Sequence, residues 1–240
     1  MIAGPNGSGK TTIKSVLRPE LLGIYINPDE IEKTLKSQGF LSLDAFGISS
    51  DVETLSAFFA GSQLLKNFGD GKIPRIMLQK GILTLEEGEA GSYFSSVLSD
   101  FLRQRLIDQK SSFTFETVMS FRDKVEILKT AQSAGFRTYL YYIATDDPAI
   151  NIARVNARVE SGGHSVPEGK IASRYYKSLD LLIEAIKFTN RAYIFDNSNG
   201  LGQHFLVAEI TDGSVLQFKS NPSPAWFKQA VWDKIPHLGF

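Results

Sequence analysis

The segment Gly4-Pro5-Asn6-Gly7-Ser8-Gly9-Lys10-Thr11-Thr12 constrains this chain more than any other, because its first eight residues match G-x-x-x-x-G-K-[ST]. Glycines let successive backbone N–H groups turn inward around an anion, and the start of a helix adds its dipole. Lys10 would then reach the β- and γ-phosphates of a nucleoside triphosphate such as ATP or GTP, while the Thr11 hydroxyl would serve Mg²⁺. With glycine near ~7% of residues, chance produces the pattern in only about one chain in a hundred of this length. A bare glycine-rich turn is the bland alternative. The loop needs a strand before it and a helix after it. Ile2-Ala3 reads as the end of a strand, and Lys10 to Leu17 as a helix stopped before Pro19. Only three residues precede Gly4, so this first strand reads as cropped.

Beyond the loop, strand and helix patterns alternate. Gly23 to Ile26 reads as a second strand ending next to Asp29, followed by a helix from Asp29 to Ser37. Ser112 to Phe115 and Thr138 to Ala144 read as strands, with a helix between them from about Phe121 to Ala134. Helices are expected from Pro148 to Glu160 and from Pro167 to Phe188. Ala192 to Phe195 is a further strand ending at Asp196. A C-terminal β-hairpin is expected from His204 to Ile210 and Val215 to Phe218. Such alternation predicts an α/β fold with a mainly parallel sheet covered on both faces, the three-layer sandwich of P-loop NTPases. At 240 residues one domain is expected, with an insertion at about residues 40–100. That insertion reads as helical, with Leu55, Phe58, Phe59, Leu64 and Leu65 on one stretch and Phe94, Val97, Leu98, Phe101 and Leu102 on another. Phe68 to Gly91, which holds five glycines, reads as irregular.

Composition narrows the function classes. Lys+Arg and Asp+Glu each total 26, so no global field draws the molecule to nucleic acid or anionic lipid. The absence of cysteine removes disulfides, thiolate metal sites and thiol nucleophiles. No run approaches the roughly 18 apolar residues that cross a bilayer, and no signal-peptide pattern follows Met1, so a cytoplasmic protein is expected.

A P-loop enzyme also needs a carboxylate near the metal or nucleophile, and in a parallel sheet such groups sit at the carboxyl ends of strands. Asp29, Glu116 and the pair Asp146-Asp147 meet that condition. The bland reading of Asp29 and Asp147 is a helix cap. Arg154, Arg158, His164, Lys170 and Arg174 flank Gly162-Gly163 between two helices, as in a cationic lid closing over a triphosphate, or simply as on a solvated helix face. His164 taken alone is more often a surface residue than a catalyst. His204 and His237 do not share its neighbourhood, so no metal-ligand spacing arises.

Four motifs in order carry a family resemblance: Ile2 to Thr12, Asn27-Pro28-Asp29-Glu30, Phe115-Glu116-Thr117, and Arg158 to Pro167. Together they resemble the zeta toxin-like P-loop kinases, over about residues 1–38 and 111–198. The resemblance implies phosphorylation of a hydroxyl of UDP-N-acetylglucosamine, with Asp29 as general base. Lys10 and Arg158 would steady the phosphates, and Glu116 and Thr117 would line the acceptor pocket. It also admits an antitoxin-like protein as partner. Two departures stand out. His164, in a shortened loop, takes the place of a second lid arginine, and the 40–100 stretch is longer than in compact relatives, so a different small acceptor is also open. Two other classes compete. One is an ABC-type ATPase, suggested by Ser161-Gly162-Gly163-His164 and Tyr193-Ile194-Phe195-Asp196, although Asn197 stands where such an enzyme needs glutamate. The other is a nucleotide-binding regulatory module without turnover.

Overall fold

The structure, a computed structural model, describes residues 1–68, 75–86, 90–163, 165–200, 204–220 and 223–234. In chain order it contains β1 (Ile2–Ala3), α1 (Lys10–Val16), α2 (Pro19–Leu22), β2 (Ile24–Ile26), α3 (Pro28–Gln38) and β3 (Phe40–Ser42). Next come α4 (Val52–Gly61), α5 (Gln63–Phe68), β4 (Ile76–Gln79), β5 (Ile82–Leu85), α6 (Ser92–Asp108), β6 (Phe113–Thr117) and α7 (Asp123–Ser133). Last are β7 (Tyr139–Ala144), α8 (Pro148–Glu160), α9 (Glu168–Lys187), β8 (Arg191–Asp196), β9 (Phe205–Thr211), β10 (Val215–Phe218) and α10 (Ala225–Ala230). The chain forms two compact units, one of Met1–Arg18 with Glu116–Phe240 and one of Pro19–Phe115.

In the first unit the strand order is β10-β9-β8-β7-β1-β6. β1 lies parallel to β7 and to the end of β6, where Ile2 faces Glu116 and Ala3 faces Thr117. β7 and β8 pair in parallel from Tyr139 opposite Arg191 to Ala144 opposite Asp196, whereas β9 and β10 add antiparallel. Ile2, Ala3, Leu140, Ile143, Ala192 and Ile194 are fully buried, the signature of strands covered on both faces. The α/β fold with a mainly parallel sheet and a C-terminal hairpin is therefore present. α9 buries Ile171, Tyr175, Ser178 and Leu182, spaced by three or four residues, and two hydroxyls tie it to β7. Tyr142 and Ser178 share a buried hydrogen bond of 3.0 Å, and Tyr175 Oη donates to the Thr145 carbonyl at 2.5 Å. α10 is anchored by Trp226, whose Nε1 donates to Asp196 at 2.7 Å. Phe227 beside it is fully buried, while Phe240 lies outside the described residues.

In the second unit β2 pairs in parallel with Phe113 to Phe115 of β6. α6 is its hub. The stripe Phe94, Val97, Leu98, Phe101 and Leu102 is buried, with Phe59 of α4 against Phe94 and Phe58 against Phe101, ring centroids 4.6 and 5.3 Å apart. The reading of Phe68 to Gly91 as irregular needs correction here. β3, β5 and β4 form a three-stranded antiparallel sheet in that order, within and beside the segment that reads as irregular. The connection is Lys80-Gly81, both with positive φ (50° and 73°), so the two-residue turn is of the mirror-image kind that joins hairpin strands. Leu41, Leu83 and Leu78 face one another across the three strands, and Leu83 is fully buried. Gly69 to Pro74 and Glu87-Gly88-Glu89 of the same stretch lie outside the described residues.

Candidate functional site

The glycine-rich loop spans Gly4 to Gly9, between β1 and α1, in the first unit. Gly4, Gly7 and Gly9 take φ of 146°, 74° and 102°, values that side chains seldom adopt. α1 starts without a side-chain cap, so its first turn is open to an anion. Lys10 is 8% exposed and folds back over its own loop, where Nζ donates to the carbonyls of Gly4 at 2.9 Å and Pro5 at 3.0 Å. Glu116 Oε1 lies 4.0 Å from the same ammonium. Thr11 is exposed and Thr12 half-buried in the first turn of α1. Gly4 N also donates to the Thr117 carbonyl at 3.3 Å, which joins the loop to β6.

Two asparagines that sequence reasoning passed over as site residues approach the loop from outside. Asn151 of α8 donates through Nδ2 to the Asn6 carbonyl at 2.5 Å and accepts from the Thr145 hydroxyl. Asn197, just past β8 and fully buried, donates through Nδ2 to the Ser8 carbonyl at 2.8 Å. Arg154 follows Asn151 by three residues and Arg158 by seven, a spacing that puts all three on one face of α8. Arg154 Nη2 donates to the Asn197 carbonyl at 2.8 Å, and Arg174 of α9 reaches the Asn6 Oδ1 at 3.5 Å. Arg174 thus reaches the loop itself, and Arg154 reaches Asn197 beside it. Arg158 is exposed in the last turn of α8, where its carbonyl accepts from Gly163 N at 2.9 Å. His164 lies outside the described residues.

The carboxylates divide by environment. Glu116 is the one beside Lys10. Asp147 is a cap, its Oδ1 accepting from Ala149 N at 2.7 Å ahead of Pro148. Asp146 is pushed above the usual carboxylate range by burial and by the neighbouring charge of Asp196. Asp29, in the second unit, is exposed in the first turn of α3 and is not its cap. That task falls to Asn27, whose Oδ1 accepts from Asp29 N at 2.9 Å. Thr117 Oγ1 is taken up by Met119 N at 3.0 Å, in a turn where Met119 has φ 53°.

His204 is the other residue that spacing gave no reason to single out. Its ring lies against the loop, with Cε1 2.9 Å from where a Cβ on Gly9 would stand. Burial, and then the charge of Arg154, hold its pKa below the usual histidine value, so the ring is neutral at pH 7. Neither of its nitrogens has a partner among the described residues, and neither has Arg154 Nη1, Asn197 Oδ1 or Ser8 Oγ. Buried polar atoms without a hydrogen bond among the described residues thus gather beside the loop. Only folding reveals this, since His204 is far in sequence from Gly9.

Residues 82–199 match the Zeta toxin family model, a stretch that includes Glu116, Asn151, Arg154 and Asn197 but neither the loop nor Asp29. Over that stretch the chain is zeta toxin-like. An uncharacterized protein of Haemophilus influenzae (strain ATCC 51907 / DSM 11121 / KW20 / Rd) is 39% identical over 69 residues, 29% of this chain and 49% of that one. A chain of the AvrRxo1-ORF1:AvrRxo1-ORF2 crystal structure with sulphate ions aligns with a TM-score of 0.52 at 16% identity, over 93% of this chain and 63% of that one. The AvrRxo1-ORF1:-ORF2 structure with ATP aligns at 0.53 and 16%, over 98% and 62%. A chain of the PezAT chromosomal toxin–antitoxin system of Streptococcus pneumoniae aligns at 0.49 and 14%, over 100% and 87%. This chain thus spans about half the length of the Haemophilus protein and less than two thirds of the AvrRxo1 chains. The AvrRxo1 likeness, at such identity, is one of fold. No helix among the described residues is long and apolar enough to cross a membrane.

Proposed function

We propose that this chain is a phosphotransferase that moves the γ-phosphoryl group of ATP or GTP to a hydroxyl of a small acceptor, in the manner of the zeta toxin-like kinases. The observation that carries the reading is Lys10, buried at a glycine-rich loop with Glu116 4.0 Å away and with Arg154 and Arg174 joined to the same loop. Phosphoryl transfer asks a protein mainly for positioning and for charge stabilisation, and these residues offer both. Glycine at Gly7 and Gly9 keeps the loop compact, because a Cβ there would meet the Asn151 carbonyl or the Asn197 amide. Thr11, exposed at the start of α1, would hold Mg²⁺, which when bound offsets charge on the β- and γ-phosphates.

In the proposed reaction the acceptor oxygen attacks the γ-phosphorus, its proton passes to Asp29, and the bond to the β-phosphate breaks to release the nucleoside diphosphate. Asp29 takes this role on its motif, and its carboxylate, not engaged as the cap of α3, is exposed. Arg158 and His164 are proposed to close over the transferring group, and Glu116 and Thr117 to meet the acceptor, for which a UDP-N-acetyl sugar is the first choice. An antitoxin-like protein is the proposed partner, supported by the printed description of the AvrRxo1 chain as part of a two-component complex.

The test is mass spectrometry on nucleotide sugars, sugars and oligonucleotides incubated with the protein, ATP and Mg²⁺, beside Lys10→Ala and Asp29→Asn. An acceptor that gains one phosphate with the parent and with neither variant supports the kinase. Phosphorylation that persists in Asp29→Asn removes the base from Asp29, and ATP loss without a phosphorylated acceptor turns the reading to an ATPase.

A further inference from the structure

The two asparagines at the loop have no part in the proposed chemistry, yet both are built into the structure with care. Asn151 spends Nδ2 on the Asn6 carbonyl and Oδ1 on the Thr145 hydroxyl. Asn197 spends Nδ2 on the Ser8 carbonyl, while its backbone N donates to the Ala144 carbonyl at 2.9 Å and its backbone carbonyl accepts from Arg154. Both are fully buried. Both are tied back to adjacent residues at the end of β7, Ala144 and Thr145, so the two grips share one anchor.

Peptide planarity turns these bonds into a statement about the loop. In a trans peptide the C=O and the following N–H point to opposite sides. Holding the Asn6 carbonyl against Asn151 therefore aims Gly7 N–H away from α8, and holding the Ser8 carbonyl against Asn197 aims Gly9 N–H away from the end of β8. A phosphate cradle needs backbone N–H groups turned away from their protein supports in this way. The glycines fit the same purpose. A Cβ on Gly7 would stand 2.6 Å from the Asn151 carbonyl oxygen, and one on Gly9 would overlap Asn197 Nδ2. Left-handed φ is thus only part of why these positions are glycine: the close backbone of Asn151 adds a second reason at Gly7, and room for the Asn197 amide adds one at Gly9.

We infer that Asn151 and Asn197 are positioning residues that hold the phosphate loop in its anion-accepting shape before any nucleotide arrives. The inference rests on the nucleotide-binding reading of the loop and deepens it. A loop preset in this way gives up less conformational entropy on binding than one that must order around its ligand. Losing either grip leaves a carbonyl unpaired and lets the peptide rotate, which costs affinity for the polyphosphate itself, whatever the base or the acceptor.

The test uses the full chain with Asn151→Ala and Asn197→Ala, titrated by calorimetry with inorganic tripolyphosphate and with ATP, beside thermal melts without ligand. Affinity for both probes is expected to fall about tenfold in each variant, from one carbonyl left without its partner apiece. A merely structural asparagine would lower the melting temperature and leave tripolyphosphate affinity of the folded protein within twofold of the parent, and that outcome overturns the inference. A parent protein that binds neither probe overturns the nucleotide reading together with it. Should a variant fail to fold, NMR on the parent decides. The side-chain amide hydrogens of both asparagines are expected to be protected from exchange without ligand and to stay so with tripolyphosphate, whereas protection that arises only on binding refutes a preset loop.

Discussion

Lys10 engages Gly4, Pro5 and Glu116, and replacing it with methionine separates what these contacts do for the fold from what they do for the reaction. Its two hydrogen bonds, to Gly4 and Pro5 at 2.9 and 3.0 Å, are charge-assisted. Such bonds contribute about 1.5–3 kcal/mol each. Against them stands the cost of keeping an ammonium 8% exposed, which for a buried ion amounts to several kcal/mol. The two nearly cancel, so Lys10→Met should destabilise by only about 1–2 kcal/mol, or a fall in Tm of about 2–8 °C for a chain of this size. Turnover should fall by about 10²–10³, the usual cost of removing one donor aimed at developing charge. The Glu116 contact adds a second arm. At 4.0 Å the attraction is about 4 kcal/mol for an effective dielectric of 20, and solvent at Glu116 reduces it, so a cycle of Lys10→Met with Glu116→Gln should give a coupling near ~1 kcal/mol. Thermal melts and steady-state kinetics on the four proteins measure both quantities. Turnover within tenfold of the parent in Lys10→Met, or a loss that merely tracks the unfolded fraction, would refute the reasoning, and coupling under about 0.3 kcal/mol would dismiss the ion pair.

His204 makes stability depend on pH in a defined direction. Its folded pKa lies below the ordinary 6.5, so the unfolded chain takes up the proton first. The stability it confers is fully present above about pH 6.5 and is lost as pH falls below it. His204→Gln should flatten that part of the profile in melts between pH 5 and 8, and an unchanged slope would show that other groups set it. At α3, Asn27→Ala should cost about 1 kcal/mol through the lost cap. Asp29→Asn should cost a few tenths, since it gives up only a favourable charge near a helix start. Equal losses in the two melts would mean that Asp29 shapes the helix after all, and any loss of activity in Asp29→Asn could not then be assigned to chemistry.

What could be seen in the chain before folding depended on whether the controlling interaction was local. The loop, the strand that ends before Asn27-Pro28, and α8 opening at Asp147-Pro148 are local in that sense, because glycine, proline and capping residues act within a few positions. The stripe on α6 was equally plain, its apolar residues repeating at three and four. The β4–β5 hairpin was hidden because its turn is Lys80-Gly81 rather than asparagine or aspartate before glycine, and because Lys80 at φ 50° is an uncommon occupant. At the site, the arginines of α8 were legible only as cations flanking Gly162-Gly163. Asn151, Asn197 and His204 were not, because each acquires its place from a neighbour at Asn6, Ser8 or Gly9, far away in the chain.

The residue after Asp196 bears on the rival ATPase reading in a way the sequence could only suggest. An ATPase of the ABC type needs a carboxylate there to act on water. In this fold the position belongs to Asn197, whose side chain is fully buried and whose Nδ2 donates to the Ser8 carbonyl at 2.8 Å. A glutamate could not serve in its place. Its carboxylate offers no hydrogen at neutral pH, so it would set a negative oxygen against a carbonyl oxygen in a space closed to water. It is also one methylene longer, in a site already so tight that a Cβ on Gly9 would overlap the present amide. Asparagine is thus the residue that the geometry of this loop demands, and the base for any reaction on the bound phosphate must come from elsewhere in the chain. That requirement weighs toward a kinase whose base lies on another strand end, as proposed for Asp29, and against a water-activating glutamate at residue 197.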